Sequence, residues 1–382
     1  MASSLGDKLT GSATLRITSE IARLKKEGKR IFNFGIGEPD FTTPRNIIDA
    51  GFNSAIAGKT HYTQSKGIIE LREKISQRLA KVNGINATPE NIIVTPTKHS
   101  IYIAVLSIIE PGDEVLLIEP YYLTYPDIIR LAGGKPVPVR STGNFDPDFE
   151  LLQKYVSPRT KAIIFNNPVN PTGRVYSRDV VKKLVDFVAA NRLYLISDEI
   201  YDQLVYEGKP VSPASFPEIS DWTVTLNGFS KSHAMTGWRI GYMHANSDLI
   251  AVSDKIQQAT MTCAPSISQY ACLEAIDDSR SVELMRDAFR KRRDDVMQLL
   301  SGSSRLKINR PEGAFYVFPE YKLELNSTKF CEQLLTERQV ALTPGSAFGE
   351  QGGFHARISY AASDDELREG ISRLVEFVDS YR

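Results

Sequence analysis

Cysteine, histidine, net charge and long apolar runs are all scarce, and each shortage removes a class of protein. Cysteine occurs three times in 382 residues, as Cys263, Cys272 and Cys331. No two stand as C-x-x-C, so neither a zinc ribbon nor a disulfide framework is indicated; a sparse, odd set fits reduced thiols in a cytoplasmic protein. The five histidines, His61, His99, His233, His244 and His355, lack metal-ligand spacing, and no metal is expected. Lys plus Arg and Asp plus Glu both number 46. A zero balance lacks the basic excess of a nucleic-acid or anionic-membrane binder. No apolar stretch reaches the roughly 18 residues of a membrane span. The opening residues have neither the basic start nor the apolar centre of a secretory signal. The expectation is a cytoplasmic protein with no nucleic-acid and no membrane partner.

What is present is ample core material, 42% hydrophobic residues, in an alternating order. Short aliphatic runs recur at 92–95, 114–118, 136–139, 162–165, 193–197, 223–226 and 239–243, and β-branched composition suits buried strands. Helical spacing lies between several of them, at 101–109, 126–132 and 177–190, the last with Ser177 as N-cap. Such alternation predicts an α/β fold, a mostly parallel sheet between helices. A long helical stretch is expected from about 259–265 to 300. After a composition change at 301–304 come strand-like runs at 314–318 and 356–359 and helices at 329–338 and 364–380, which read as a smaller α+β domain. The first segment carries a helix at 17–27 and a strand at 30–34. The expected division is residues 1–45 joining the small domain, 46–300 as the large domain, and 301–382 as the small C-terminal domain.

Ligands of open parallel sheets bind beyond the carboxyl ends of the strands. Five such ends deliver polar or aromatic groups: Thr95-Pro96-Thr97-Lys98, Glu119-Pro120-Tyr121-Tyr122, Asn166-Asn167-Pro168-Val169-Asn170-Pro171-Thr172-Gly173, Ser197-Asp198-Glu199-Ile200-Tyr201 and Asn227-Gly228-Phe229-Ser230-Lys231. Together they offer a helix start for a phosphate, an aromatic ring for stacking, a carboxylate on an apolar strand and a lysine in a tight turn. A phosphorylated aromatic aldehyde that condenses with lysine uses all four, and pyridoxal 5'-phosphate (PLP) is that molecule.

The segment from Asn227 through Lys231 to Trp238-Arg239-Ile240-Gly241 and the stretch 166–173 resemble the class I/II aminotransferases of PLP fold type I, most closely the I-gamma aspartate and aromatic subgroup. The resemblance runs from Gly35-Ile36-Gly37-Glu38-Pro39-Asp40 to Arg357-Ile358-Ser359-Tyr360. It implies that Lys231 is the Schiff-base lysine and proton shuttle. Asp198 would pair with the pyridine nitrogen, Tyr201 and Asn170 with the ring's 3-oxygen, and Tyr122 would lie over the ring. Arg239, Ser230 and the helix start at Thr97 and Lys98 would hold the phosphate, with Tyr62 reaching the phosphate of a neighbouring subunit in a homodimer. Arg357 would grip the substrate α-carboxylate, with Asn170 and the backbone at Gly37 beside it. Lys98 would also meet a distal carboxylate, with Ser12 and Thr14 on a segment closing over it. Two departures stand out. The phosphate turn is one residue short and lacks its glycine, and Gly228 occupies a position where the family often has serine.

The resemblance implies ping-pong transamination between an amino acid and a 2-oxo acid, aspartate with 2-oxoglutarate being favoured. An aromatic or alanine aminotransferase and a lyase of the same fold are the alternatives. An NAD-dependent oxidoreductase built on Gly35-x-Gly37 is disfavoured, because the third glycine is missing and Pro39 interrupts the loop. A regulator with a silent domain would not need lysine, aspartate and arginine together.

Overall fold

The computed structural model describes residues 6, 9 and 13–381, so Ser12 and the side chain of Thr14 lie outside the described residues. A short strand, β1 (Phe32–Asn33), precedes the main sheet. Strands β2 (Ile92–Val94), β3 (Glu114–Glu119), β4 (Lys135–Arg140), β5 (Thr160–Asn166), β6 (Tyr194–Asp198), β7 (Thr223–Gly228) and β8 (Gly241–His244) form that sheet in the order β2-β8-β7-β6-β5-β3-β4. All neighbours from β7 to β4 are parallel, and β8 runs antiparallel to both β2 and β7. Successive side chains leave a strand on opposite faces. Leu117, Ile164 and Ile196 therefore enter one apolar cluster, while Leu116, Ile163 and Leu195 enter another on the far side. With both faces covered, the strands need the unbroken aliphatic runs that the sequence shows.

Local chemistry sets the helix ends. Ser177 caps the helix Arg178–Asn191 by accepting from the Val180 N–H. Two expectations are corrected. The strand expected at 239–243 begins only at Gly241, because Arg239 takes a left-handed backbone (φ 55°) in the preceding loop. The long helical stretch expected from about 259–265 to 300 is two helices, Ser266–Ala275 and Ser279–Leu300, after a first, Ser247–Thr260, that ends where the stretch was expected to begin. Thr262 is left-handed (φ 70°). Pro265 removes an N–H and disfavours the helical region for Ala264. Asp278 then starts the third helix by accepting from the Ser281 N–H.

The C-terminal part carries β9 (Leu306–Lys307), β10 (Tyr316–Val317), β11 (Glu320–Tyr321), β12 (Val340–Ala341), β13 (Thr343–Pro344) and β14 (Ala356–Ser359), packed with helices Ser327–Arg338 and Asp364–Ser380. β1 pairs in parallel with β12. Ile17, Leu24, Phe32 and Phe34 share one core with Phe330, Leu334 and Leu374. Phe289, Val296 and Leu300, from the helix Ser279–Leu300, enter that core too. The Glu119 carboxylate, at the end of β3, receives the N–H groups of Glu350 (3.1 Å) and Gln351 (2.9 Å). Arg174 bridges Asp146 and Glu312. These ties fix the strand that carries Arg357 over the end of the main sheet.

Candidate active site

A cavity of about 380 Å³ opens where the parallel strands end. Thr97 and Lys98, beyond β2, line it together with Tyr122, beyond β3. Asn170 follows β5, and Asp198 and Tyr201 come from the end of β6. Ser230 and Lys231 follow β7, and Gly37 and Arg357 close the far wall. Arg239 joins them because β8 is antiparallel: its start, not its end, lies at the site. Among the sequence-selected residues whose side chains are described, Tyr62 alone lies outside the cavity, 87% exposed.

Lys231 Nζ donates to the Gly37 carbonyl at 2.6 Å. Burial, then the nearby Arg357 and Arg239 cations, bring its amine down to about 8, against the opposing pull of Glu38 and Asp198. A lysine so placed has an appreciable neutral fraction near neutral pH, which nucleophilic attack requires. Asp198 is fully enclosed and burial raises its pKa, opposed by a hydrogen bond from the Tyr125 hydroxyl at 2.7 Å. A buried carboxylate at the wall of a cavity is stabilised by a cation placed there.

Arg357 is buried, and its guanidinium stacks 4.6 Å from the Tyr316 ring and 5.1 Å from that of Phe348. Nη1 donates to Asn170 Oδ1 (3.1 Å) and Nη2 to the Gly35 carbonyl (2.7 Å). Nε is buried without a partner. Gly37 is required by space: a Cβ there would stand 2.7 Å from the Tyr316 hydroxyl. Tyr201 and Tyr316 share a hydrogen bond at 2.8 Å between their hydroxyls.

The two departures at the phosphate end fit one another. The helix Thr97–Ile108 begins directly after Pro96, so its first-turn N–H groups have no intrahelical acceptor. A Cβ at Gly228 would lie 2.6 Å from Thr97 Oγ1, and one at Gly241 would lie 2.3 Å from it. The threonine hydroxyl of the short turn therefore fills the space that a serine at 228 would need. Two glycines, from β7 and β8, make room for it.

Sequence reasoning missed Tyr125 and Tyr316. Both are buried, and a buried phenol needs a hydrogen-bond partner; for Tyr316, inside the apolar run 314–318, that was the signal available. Among the histidines, His233 is kept neutral, brought down to about 4 by burial and then by Arg78, and pairs with Ser232. None of the five lines the cavity.

The residues fit PLP on three counts visible in the structure. Asp198 is an enclosed carboxylate suited to a protonated ring nitrogen, Lys231 is a buried amine with a lowered pKa, and a helix start with Ser230 and Arg239 suits a phosphate. Comparison with known proteins agrees. The family described as aminotransferase class I and II matches residues 29–374. The chain is 43% identical to the (5-formylfuran-3-yl)methyl phosphate transaminase of Methanocaldococcus jannaschii, over 94% of each chain. It is 41% identical to a probable aspartate/prephenate aminotransferase of Aquifex aeolicus, over 96% of this chain and 95% of the relative. The structure of Thermus thermophilus aspartate aminotransferase with maleate superposes with a TM-score of 0.93 at 36% identity, covering 98% of this chain and 99% of that one. The chain belongs to the class I and II aminotransferases and is a PLP-dependent aminotransferase of fold type I.

Proposed function

We propose that this aminotransferase takes aspartate as amino donor and 2-oxoglutarate as acceptor. The observation that carries the reading is the cation pattern of the cavity. Arg357 and Lys98 line the same space as Lys231, and Lys98 is exposed, with its Nζ 5.9 Å from the Tyr122 ring centre. A dicarboxylic substrate has one carboxylate for each.

PLP, when bound, supplies an electron-withdrawing ring that accepts charge from the substrate Cα. This chain's residues do the rest. Arg357, which lines the cavity, orients the substrate by its α-carboxylate through its guanidinium. Asp198 keeps a positive charge at the ring nitrogen, held in place by Tyr125. Tyr201 and Asn170 hydrogen-bond the 3-oxygen, and Tyr122 packs on the ring face. Thr97, Ser230, Arg239 and the helix start bind the phosphate. Lys231 would take the proton from the substrate Cα and return it at C4' of the bound cofactor; its lowered pKa suits both roles.

Tyr62 completes the phosphate site of a second copy in a homodimer. Its exposure, shared with Phe52 (63%) and Ile56 (71%), supports that arrangement. Mixing Tyr62→Phe and Lys231→Ala proteins tests it: activity should return on subunit exchange, and an active monomer in light scattering would rule it out. The division into residues 46–300 and the joined segments 1–45 and 301–382, and a cytoplasmic location, belong to the same reading.

The alternative is an acceptor with a different anion. The M. jannaschii relative is named for a phosphate-bearing aldehyde, and Lys98 would suit a phosphate as well as a carboxylate. Steady-state kinetics of Lys98→Ala decide. KM for aspartate and 2-oxoglutarate should rise about tenfold, the loss of one charged hydrogen bond, while alanine and phenylalanine are unaffected. Equal effects on all donors would remove the dicarboxylate reading.

A further inference from the structure

Behind the cavity wall lies a buried polar cluster with no contact to the cavity itself. The chain turns after β6 through Glu199-Ile200-Tyr201-Asp202, with the Asp202 N–H donating to the Glu199 carbonyl at 2.9 Å. The cavity side of this turn presents Asp198 and Tyr201. The side chains of its first and last residues, Glu199 and Asp202, face away and are 3% and 4% exposed.

One amide grips both ends of the turn. Asn83 Nδ2 donates to Glu199 Oε2 (3.0 Å) and to Asp202 Oδ2 (3.3 Å). Arg78 Nη2 donates to the same Asp202 oxygen at 2.8 Å, and its Nη1 reaches Asn83 Oδ1 (3.1 Å) and the Tyr242 hydroxyl (2.9 Å). Ser197 and Ser212 both donate to Glu199 Oε1. Burial pushes Glu199 up to about 7 against those serine hydrogen bonds.

The backbone is built to bring Arg78 and Asn83 together. In an α-helix, residues five apart point about 140° apart. Here the helix Ile69–Arg78 runs into a π-helical turn, Leu79–Asn83, closed by left-handed Gly84 (φ 69°). Its i→i+5 bonding returns residue 83 to the side of residue 78, and such turns are frequent at functional sites. Two buried carboxylates against an arginine side chain only 10% exposed is an expensive way to fill space; apolar side chains often fill such a site at least as stably.

We propose that Arg78 and Asn83 are positioning residues for the reaction: they clamp the turn Glu199–Asp202 from behind and thereby fix Asp198 and Tyr201 at the cavity wall. The proposal rests on the assignment of Asp198 and Tyr201 to the cofactor. Supporting residues of this kind hold a functional group only when their own hydrogen bonds are satisfied. Asp198 already has Tyr125 on its side chain and Asn166 and Asn167 on its carbonyl. The clamp adds a side-chain constraint at both ends of the turn, beside the backbone bonds from the Glu199 N–H to the Leu226 carbonyl and from the Leu204 N–H to the Tyr201 carbonyl, both 2.8 Å.

The test uses the PLP-loaded enzyme in three variants: Asn83→Ala, Arg78→Lys and Asp198→Ala. The pH midpoint of the visible cofactor band, kcat and KM are measured on each, with melting temperature alongside. Asn83→Ala should move the midpoint by about half a unit or more and lower kcat about fivefold or more, with KM for the donor changed less than twofold. Arg78→Lys keeps the charge but loses the fork, and should show the same shift in smaller measure. A fall in melting temperature with midpoint and kcat unchanged in both clamp variants, while Asp198→Ala changes the band, would overturn the clamp and leave the cofactor assignment standing. An unchanged band in Asp198→Ala would instead overturn the assignment on which it rests. Should Asn83→Ala fail to fold, Asn83→Ser provides the same readouts, since it adds no charge beside Glu199 and Asp202 and keeps a small polar side chain.

Discussion

Tyr125 donates a hydrogen bond from its hydroxyl to Asp198 Oδ2 at 2.7 Å, and both side chains are buried. Tyr125 stands in the first turn of a helix whose preceding loop brings Tyr122 to the same cavity, and the two rings meet edge to face at 5.4 Å. One short segment thus presents a ring to the cavity and a donor to the carboxylate behind it.

That donor favours the ionised form of Asp198. Removing it in Tyr125→Phe leaves a buried carboxylate short of a partner and lets burial raise its pKa further. Hydrogen bonds to charged groups contribute about 1.5–3 kcal/mol, so kcat/KM should fall about tenfold or more. The pH midpoint of the cofactor band should move in the same variant. Kinetics and band unchanged in Tyr125→Phe would show that Asp198 does not depend on this hydrogen bond.

Lys231 carries a pH signature in the cofactor-free protein. Its folded pKa, about 8, lies below the unfolded value of about 10.4. Between these values the unfolded chain binds the proton and the folded chain does not, so stability rises with pH across that window. Below pH 8 the cost of holding the charge is felt in full. It is at most about 3 kcal/mol, and less given the side chain's residual solvent contact. Lys231→Met should therefore be more stable than the parent at pH 7 by denaturant midpoint, with the gap shrinking toward pH 10. A gap that stays constant would mean that the amine is not desolvated in the fold.

The packing of Thr97 against Gly228 and Gly241 makes a prediction about the short phosphate turn. Gly228→Ser restores the residue often found in the family, yet it should weaken PLP binding about tenfold or more, because the new Cβ meets Thr97 Oγ1. Thr97→Ala in the same chain should recover much of that loss. Fluorescence titration with PLP gives the affinities. Tighter binding by Gly228→Ser alone would contradict the packing.

The sequence carried the layout of this site because strand ends are local: Asn170, Asp198, Tyr201 and Lys231 each follow an aliphatic run within a few residues. The same reasoning could not see where a chain reverses. It took residues 259–300 for one helix, since the apolar spacing continues across Pro265 while the left-handed turn at Thr262 has no strong residue signal. The clamp on the Glu199 turn was likewise hidden. Arg78 and Asn83 stand more than 110 residues from their acidic partners in the chain, and a π-helical turn has no periodicity distinct enough to read from one sequence. Gly228 read as a lost hydrogen bond until the three-dimensional packing of Thr97 gave it a reason.

The central claim is that Lys231 is the residue that binds PLP covalently in this cavity. Borohydride reduction of the loaded enzyme fixes such a link, and peptide mass mapping locates it. The expected result is one pyridoxyl group per chain, on the peptide containing Lys231, with none in Lys231→Ala treated alike. Attachment at another lysine in the unaltered enzyme, or none at all, would contradict the claim.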